Sequence, residues 1–164
     1  MIQPLDHTHV SAILAVVNDG AEAYRGVIPP DRWHEPYMPK DELRAEMAAG
    51  VAFLGEFEDE ALLGVIGLQR LQDVCLIRHA YVRTSHQGQG VGSRLMAALT
   101  EKADAPLLVG TWAAATWAIG FYEKRGFRLT EPDEKTRLLK TYWTIPDRQI
   151  ETSVVLAEAG FKPD

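Results

Sequence analysis

The stretch that most constrains this chain is "HQGQGVGSRLMAALTEK", residues 86–102, where Gly88, Gly90 and Gly92 fall at every second position just before a helix-like run. Each glycine in a folded segment costs roughly 0.5–1 kcal/mol of backbone entropy relative to alanine. Three of them together mark a place where something comes close to the main chain. The preceding "VCLIRHAYVR" reads as a strand, and Val91, Leu95, Leu99 and Ala103 mark one face of a following helix. A strand, a glycine loop and a helix expose the helix's first N–H groups, with their partial positive charge, to an anion. A tight turn with no ligand uses the same residues, so the loop alone leaves both readings open. Two phosphate motifs are excluded: the Walker pattern is absent, and Ser93 stands where the dinucleotide pattern needs its third glycine.

The rest of the chain places this loop in a mixed α/β fold. Val10, Ile13, Leu14 and Val17 predict an amphipathic helix from about Asp6, interrupted at Asn18, Asp19 and Gly20. Residues 23–39, "AYRGVIPPDRWHEPYMP", hold four prolines and read as a stiff, irregular connection. "KDELRAEMAAG" is a short helix stopped by Gly50, and "VAFLGEF" and "LLGVIGLQRL" form a hairpin about Asp59. After the loop helix come the strand "PLLVGTW", the helix "AAATWAIGFYEKRG" ended by Gly126, the strand "FRLT", the helix "DEKTRLLKTYW" and a final strand "RQIETSVVLAE". Antiparallel pairing comes first and the later helices allow a parallel step, within one domain spanning residues 1–164.

Bulk properties narrow the partners. A formal net charge of −6 disfavours a broad nucleic-acid surface, which needs clustered Lys and Arg. No run is long and apolar enough to span a membrane. The opening residues lack a basic leader, and a lone cysteine, Cys75, permits no internal disulfide, so a reducing cytoplasm is the expected setting. His7, His9, His34 and His86 form no zinc pattern, and no metal is expected.

The segment Gln87-x-x-Gly90-x-Gly92 resembles the acyl-CoA-binding motif of the GNAT superfamily of N-acetyltransferases, [RQ]-x-x-G-x-[GA]. Some thirty residues later "AIGFYEKRGF", residues 118–127, resembles that superfamily's second motif. The element order matches over nearly the full chain. The resemblance implies a central mixed, mostly antiparallel sheet flanked by helices, acetyl-CoA as co-substrate, and a primary amine of a small molecule or peptide as acceptor. A homodimer is compatible with it. It also implies roles: Gln87, Gly88, Gln89, Gly90, Val91, Gly92 and Ser93 around the pyrophosphate, and Ala80, Tyr81 and Val82 along the pantetheine arm. Ala115, Ala118 and Phe121 are the cofactor contacts expected on the second-motif helix, although Ala115 replaces a frequent asparagine.

For the chemistry, Tyr122 occupies the position of a general acid in many members, while also suiting simple core packing. A backbone N–H near Val82 is the expected oxyanion donor. Where some members carry a glutamate this chain has Leu76, so His79, with an imidazole's intrinsic pKa near 6.5, is the replacement candidate for the base. A water chain ending at Glu22 or Glu56 is the other option. The acceptor wall is expected from Tyr24, Arg25, Trp33, Tyr37, Trp112 and Trp143, with Arg25 free to pair either with a substrate carboxylate or with a surface glutamate. Leu76 and Ala115 also leave open a non-catalytic acyl-CoA-binding module.

Overall fold

The computed structural model describes residues 1–162 and builds one seven-stranded sheet, in the order β1-β2-β3-β4-β5-β7-β6. The chain runs β1 (Ile2–Leu5), α1 (Val10–Gly20), α2 (Lys40–Ala48), β2 (Ala52–Glu58), β3 (Ala61–Leu71), β4 (Val74–Val82) and α3 (Val91–Lys102). It continues through β5 (Leu107–Trp112), α4 (Thr116–Glu123), β6 (Phe127–Leu129), α5 (Pro132–Tyr142), α6 (Asp147–Glu151) and β7 (Ser153–Glu158). Every strand pair is antiparallel except β4–β5, which α3 connects as a crossover. The expected mixed, mostly antiparallel sheet is therefore present, with its one parallel step at the glycine loop. The last two residues of the expected 1–164 domain, Pro163 and Asp164, lie outside the described residues.

Strand alternation sorts the core onto the two faces. Ile66, Ile77, Val109 and Leu156 pack against Val91, Leu95 and Leu99 of α3 and Tyr122 of α4. On the opposite face, Phe53, Leu62 and Val65 meet Ile13, Val16 and Val17 of α1 and Leu43 of α2. Farther along that second face, Leu76, Leu108 and Val155 meet Leu138 and Leu139 of α5 and Ile150 of α6. Burying a side chain of this kind is worth about 1.5–3 kcal/mol. The α1/α2 and α5/α6 layers stand at two ends of the same face.

Three details differ from the sequence reading. β1 is a fourth antiparallel strand at the sheet edge, four residues long and containing Pro4; its register with β2 pairs Pro4 with Leu54, a place where a missing N–H is tolerated. α1 does not stop at Asn18 but continues through Gly20. There the Asn18 side chain accepts from Met38 N at 2.7 Å and donates to Met38 O, and Asp19 accepts from Thr84 N at 2.7 Å. These polar side chains tie the helix end to other segments instead of breaking it. Finally, the first half of "RQIETSVVLAE" is helical: α6 follows Pro146, buries Ile150, and leaves only Ser153–Glu158 as strand.

Candidate active site

The site begins where two strands part. β4 and β5 pair only at Cys75–Ile77 with Leu107–Val109, after which β5 stays with β7 and β4 stays with β3. From Arg78 onward the edge of β4 facing β5 has no strand partner, so its N–H and C=O groups are open to a ligand. Two cavities flank this gap, one toward the glycine loop and one toward α2 and α5.

The loop cavity, about 510 Å³, is lined by Ala80, Tyr81 and Val82 of β4, by Gln87, Gly88, Gly90, Val91, Gly92 and Ser93, and by Ala118, Phe121 and Tyr122 of α4. Gly88 and Gly90 have φ of +79° and +84°, a region that side-chain-bearing residues avoid. At Gly92 the reason is closeness: a Cβ there would sit 3.3 Å from Phe121 Cε1. No side chain caps α3, so the N–H groups of its first turn remain available. Arg125, at the end of α4, also lines the cavity; it donates to Ser93 Oγ and its guanidinium lies 3.6 Å from the Phe121 ring centroid. Backbone donors, a helix N-terminus and a cation on one wall fit a diphosphate. Gln87 donates to Val82 O at 3.3 Å, which places its side chain on the β4 edge. Gln89 and Ala115 lie off the wall: Gln89 offers its carbonyl to Arg94, and Ala115 is fully buried beside Ile28 and Trp112.

The second cavity, about 460 Å³, contains charged and aromatic side chains. A β-bulge sets its floor. Gly67 opposes Arg78 and Val65 opposes Tyr81, so Ile66 alone faces His79 and Ala80. His79 takes φ +52° at the bulge, a conformation that histidine adopts more readily than most residues. Strict alternation would put Arg78 and His79 on opposite faces. The bulge turns both toward α2, where Arg78 Nη2 and His79 Nε2 each donate to Glu46 Oε1 at 2.7 Å. His79 also stacks on Phe53, with 19° between the planes. Burial pushes the Glu46 carboxyl upward, but the His79 hydrogen bond and the neighbouring His79 and Arg78 charges outweigh it and hold the carboxyl below its ordinary value. Glu46 Oε2 is buried without a partner.

Tyr24, Tyr37, Trp112 and Trp143 line this second cavity as well, and Trp112 Nε1 donates to Tyr37 Oη at 3.3 Å. Arg25 and Trp33 do not. Arg25 is exposed and bound to Glu22 and Glu35, with its guanidinium 4.6 Å from the Trp33 ring centroid. Of the options open to Arg25, pairing with surface glutamates is the one the structure contains. Glu22 is thereby engaged, and Glu56 is bound by Arg94 through Nε at 2.8 Å and Nη2 at 2.7 Å. Neither lines either cavity. Leu76 is fully buried among α5 residues, with no access to a reacting group.

The two cavities share Tyr24, Ala80, Tyr81, Ala118 and Tyr122. Tyr122 is 6% exposed, and its hydroxyl has no hydrogen-bond partner among the described residues. Burial raises its phenol well above the usual tyrosine value; Tyr24 adds to this and Arg125 only partly opposes it. The hydroxyl keeps its proton at neutral pH. Burial likewise raises Tyr24, Tyr37 and Tyr81, which form a group of neutral hydroxyls beside the gap.

Charged residues of the two cavities that were not picked out from sequence include Arg32, Glu46 and Arg78 in the second and Arg125 in the first. Glu46 follows the buried Leu43 by three residues, so a glutamate on the inward face of α2 is a readable signal. Arg125 was legible only as a cation in a helix's last turn. Arg32 gives no local signal. Among the described residues no cluster of His, Cys, Asp or Glu is arranged to hold a metal, and no helix is long and apolar enough to cross a membrane.

Comparison with known proteins gives the following. Residues 17–140 match a family model described as an acetyltransferase (GNAT) domain. No curated protein matches the sequence. Among solved structures, the PaiA N-acetyltransferase of Thermoplasma acidophilum in complex with coenzyme A is 17% identical, with a TM-score of 0.70 over 96% of this chain and 97% of that one. The ribosomal-protein-S18-alanine N-acetyltransferase of Escherichia coli is 16% identical, with a TM-score of 0.67 over 96% and 92%. The N-acetylglutamate synthase of Neisseria gonorrhoeae, complexed with coenzyme A and N-acetyl-glutamate, is 19% identical, with a TM-score of 0.66 over 96% of this chain and 34% of that one. At these identities the likeness is one of fold.

Proposed function

The chain belongs to the GNAT family of acetyltransferases, and from that premise we propose a direct transfer of acetyl from acetyl-CoA to a primary amine. The acceptor is a small molecule or peptide, and the 1–164 chain acts as a single domain. The observation that carries this reading is the meeting of two cavities at Tyr122, one suited to a diphosphate and one lined by charged side chains.

Acetyl-CoA, when bound, supplies the acyl group already activated as a thioester. The N–H groups of Gly88 to Ser93 hold its pyrophosphate, with Arg125 adding a cation and Gln87 closing the β4 side. The open edge of Ala80–Val82 aligns the pantetheine arm through main-chain bonds, with Ala118 and Phe121 as the opposite wall. An N–H near Val82 receives the developing oxyanion.

On the acceptor side an alkyl ammonium must first lose a proton, since only about one molecule in a few thousand is free base at neutral pH. With Nε2–H donated to Glu46, His79 keeps Nδ1 as its basic nitrogen and takes that proton. Glu46 touches His79 rather than the reacting atoms and acts as a positioning residue. The amine nitrogen then bonds to the acyl carbon and the carbon–sulfur bond breaks. Tyr122 gives its proton to the departing sulfur, and the second proton from nitrogen restores the phenol. One amide, one thiol and one released proton balance the reaction. The burial that raises the phenol keeps its proton in place until the departing sulfur takes it.

The test is release of free thiol from acetyl-CoA across a panel of primary amines. Turnover is expected for at least one amine, and His79→Gln is expected to lower kcat by about 100-fold with coenzyme A affinity intact. Tight coenzyme A binding with no thiol release across the panel overturns the reading.

A further inference from the structure

A shielded cation in the charged cavity carries an inference about the acceptor. Two arginines line that cavity. Arg78 is engaged by Glu46 at 2.7 Å and Gln69 at 2.9 Å. Arg32 has no side-chain hydrogen bond or ion pair among the described residues, and its Nε is buried without a partner. A buried N–H without an acceptor is costly, and a guanidinium's planar fork matches a carboxylate. Arg32 does not hang from a loose loop. It ends the 3-10 turn Pro30–Arg32, where the Asp31 carboxylate is gripped by Arg148 of α6 through Nε and Nη2, both at 3.0 Å.

A second orphan of opposite character lines the same cavity: the buried, unpartnered Oε2 of Glu46, next to His79. An acceptor-type oxygen and a donor-type nitrogen, both lacking partners in one cavity of about 460 Å³, call for a ligand with a carboxylate and an ammonium together. Tyr37, Trp112 and Trp143 share the remaining wall with polar side chains, among them Glu42, Thr111 and Gln149.

We propose that the acceptor is a free amino acid, its carboxylate held by Arg32 and its ammonium received at Glu46 and His79. The inference rests on the acetyl-transfer reading of this cavity and adds the acceptor's chemical class to it.

The probes are leucine and phenylalanine beside their decarboxylated counterparts, isopentylamine and phenethylamine. Each is titrated calorimetrically into coenzyme A-loaded protein and then offered with acetyl-CoA while thiol release is followed. The amino acids are expected to bind and react better than the plain amines. Arg32→Ala is expected to weaken them by about 30-fold or more while leaving the plain amines unchanged. Arg32→Lys restores part of the loss, because charge returns without the fork. Unchanged coenzyme A affinity in both variants shows that the fold is intact. If a variant fails to fold, the wild-type preference for acid over amine decides. Equal binding of acids and amines, or binding of neither, overturns the inference. Arg32-dependent binding without thiol release upholds the ligand class and overturns the transfer reading, and with it the ligand's role as acceptor.

Discussion

The two cavities that meet at Tyr122 are made of different material. The one toward the glycine loop is built mainly from main chain: left-handed Gly88 and Gly90, an uncapped helix start, and the open edge of β4 beyond Ile77. The one toward α2 is built from side chains drawn from distant parts of the chain, among them Arg32, Glu46, His79 and Trp143. Main-chain donors can serve one ligand class on any sequence that supplies the right glycines. Side-chain walls can be exchanged one residue at a time. A constant donor and a variable acceptor are what such a division suits.

Substitutions can break this contrast at three points. The largest effect is expected at the junction: Tyr122→Phe should lower kcat by about 10²–10⁴ while coenzyme A affinity measured by calorimetry stays within about twofold. Unaltered turnover would remove the hydroxyl from the reaction. A smaller effect, confined to the loop cavity, is expected from Gly88→Val. A Cβ at Gly88 meets no protein atom within 4 Å, so the fold survives, but φ of +79° is strained for valine. A strain of about 1–2 kcal/mol that must be restored on binding weakens coenzyme A by about 5- to 30-fold. Unchanged affinity would mean that the loop conformation is not the bound one.

The smallest effect concerns the charged cavity at rest. Glu46 has its pKa held below the ordinary 4.5, so its contribution to stability is fully present above that value and is lost as pH falls through the lowered folded-state value. Each unit of lowering is worth about 1.4 kcal/mol. Urea unfolding of Glu46→Gln between about pH 7 and pH 3 should show a flatter acid decline than wild type. Parallel declines would show that Glu46 is not coupled to Arg78 and His79.

The same contrast explains what could be read before the structure was known. The loop cavity was legible because glycine periodicity, an apolar strand and a helical face all lie within residues 74–103, where local rules apply. Tyr122 followed from a second motif with its own helical spacing. The charged cavity was only partly legible. His79 was picked out, but its face depended on a bulge that no alternation pattern announces. Arg25 and Arg32 stand in the same proline-rich segment, and nothing local in the sequence distinguishes the one paired with Glu22 and Glu35 from the one facing the cavity. In the fold, β1 was too short for a period to emerge, and the polar end of α1 looked like a stop because its partners, Met38 and Thr84, are far along the chain.

The extra residue in β4 splits this strand into two segments that are out of phase. Up to Arg78, even-numbered positions look toward α5 and α2; beyond Ala80, Tyr81 does so, packed with Val65 in the layer of α1. A deletion of one residue here would restore simple alternation with Tyr81 still opposite Val65, but would remove the extra position that lets Arg78 and His79 both turn toward Glu46. The surplus length of the strand therefore serves the placement of two side chains, not the pairing of the sheet.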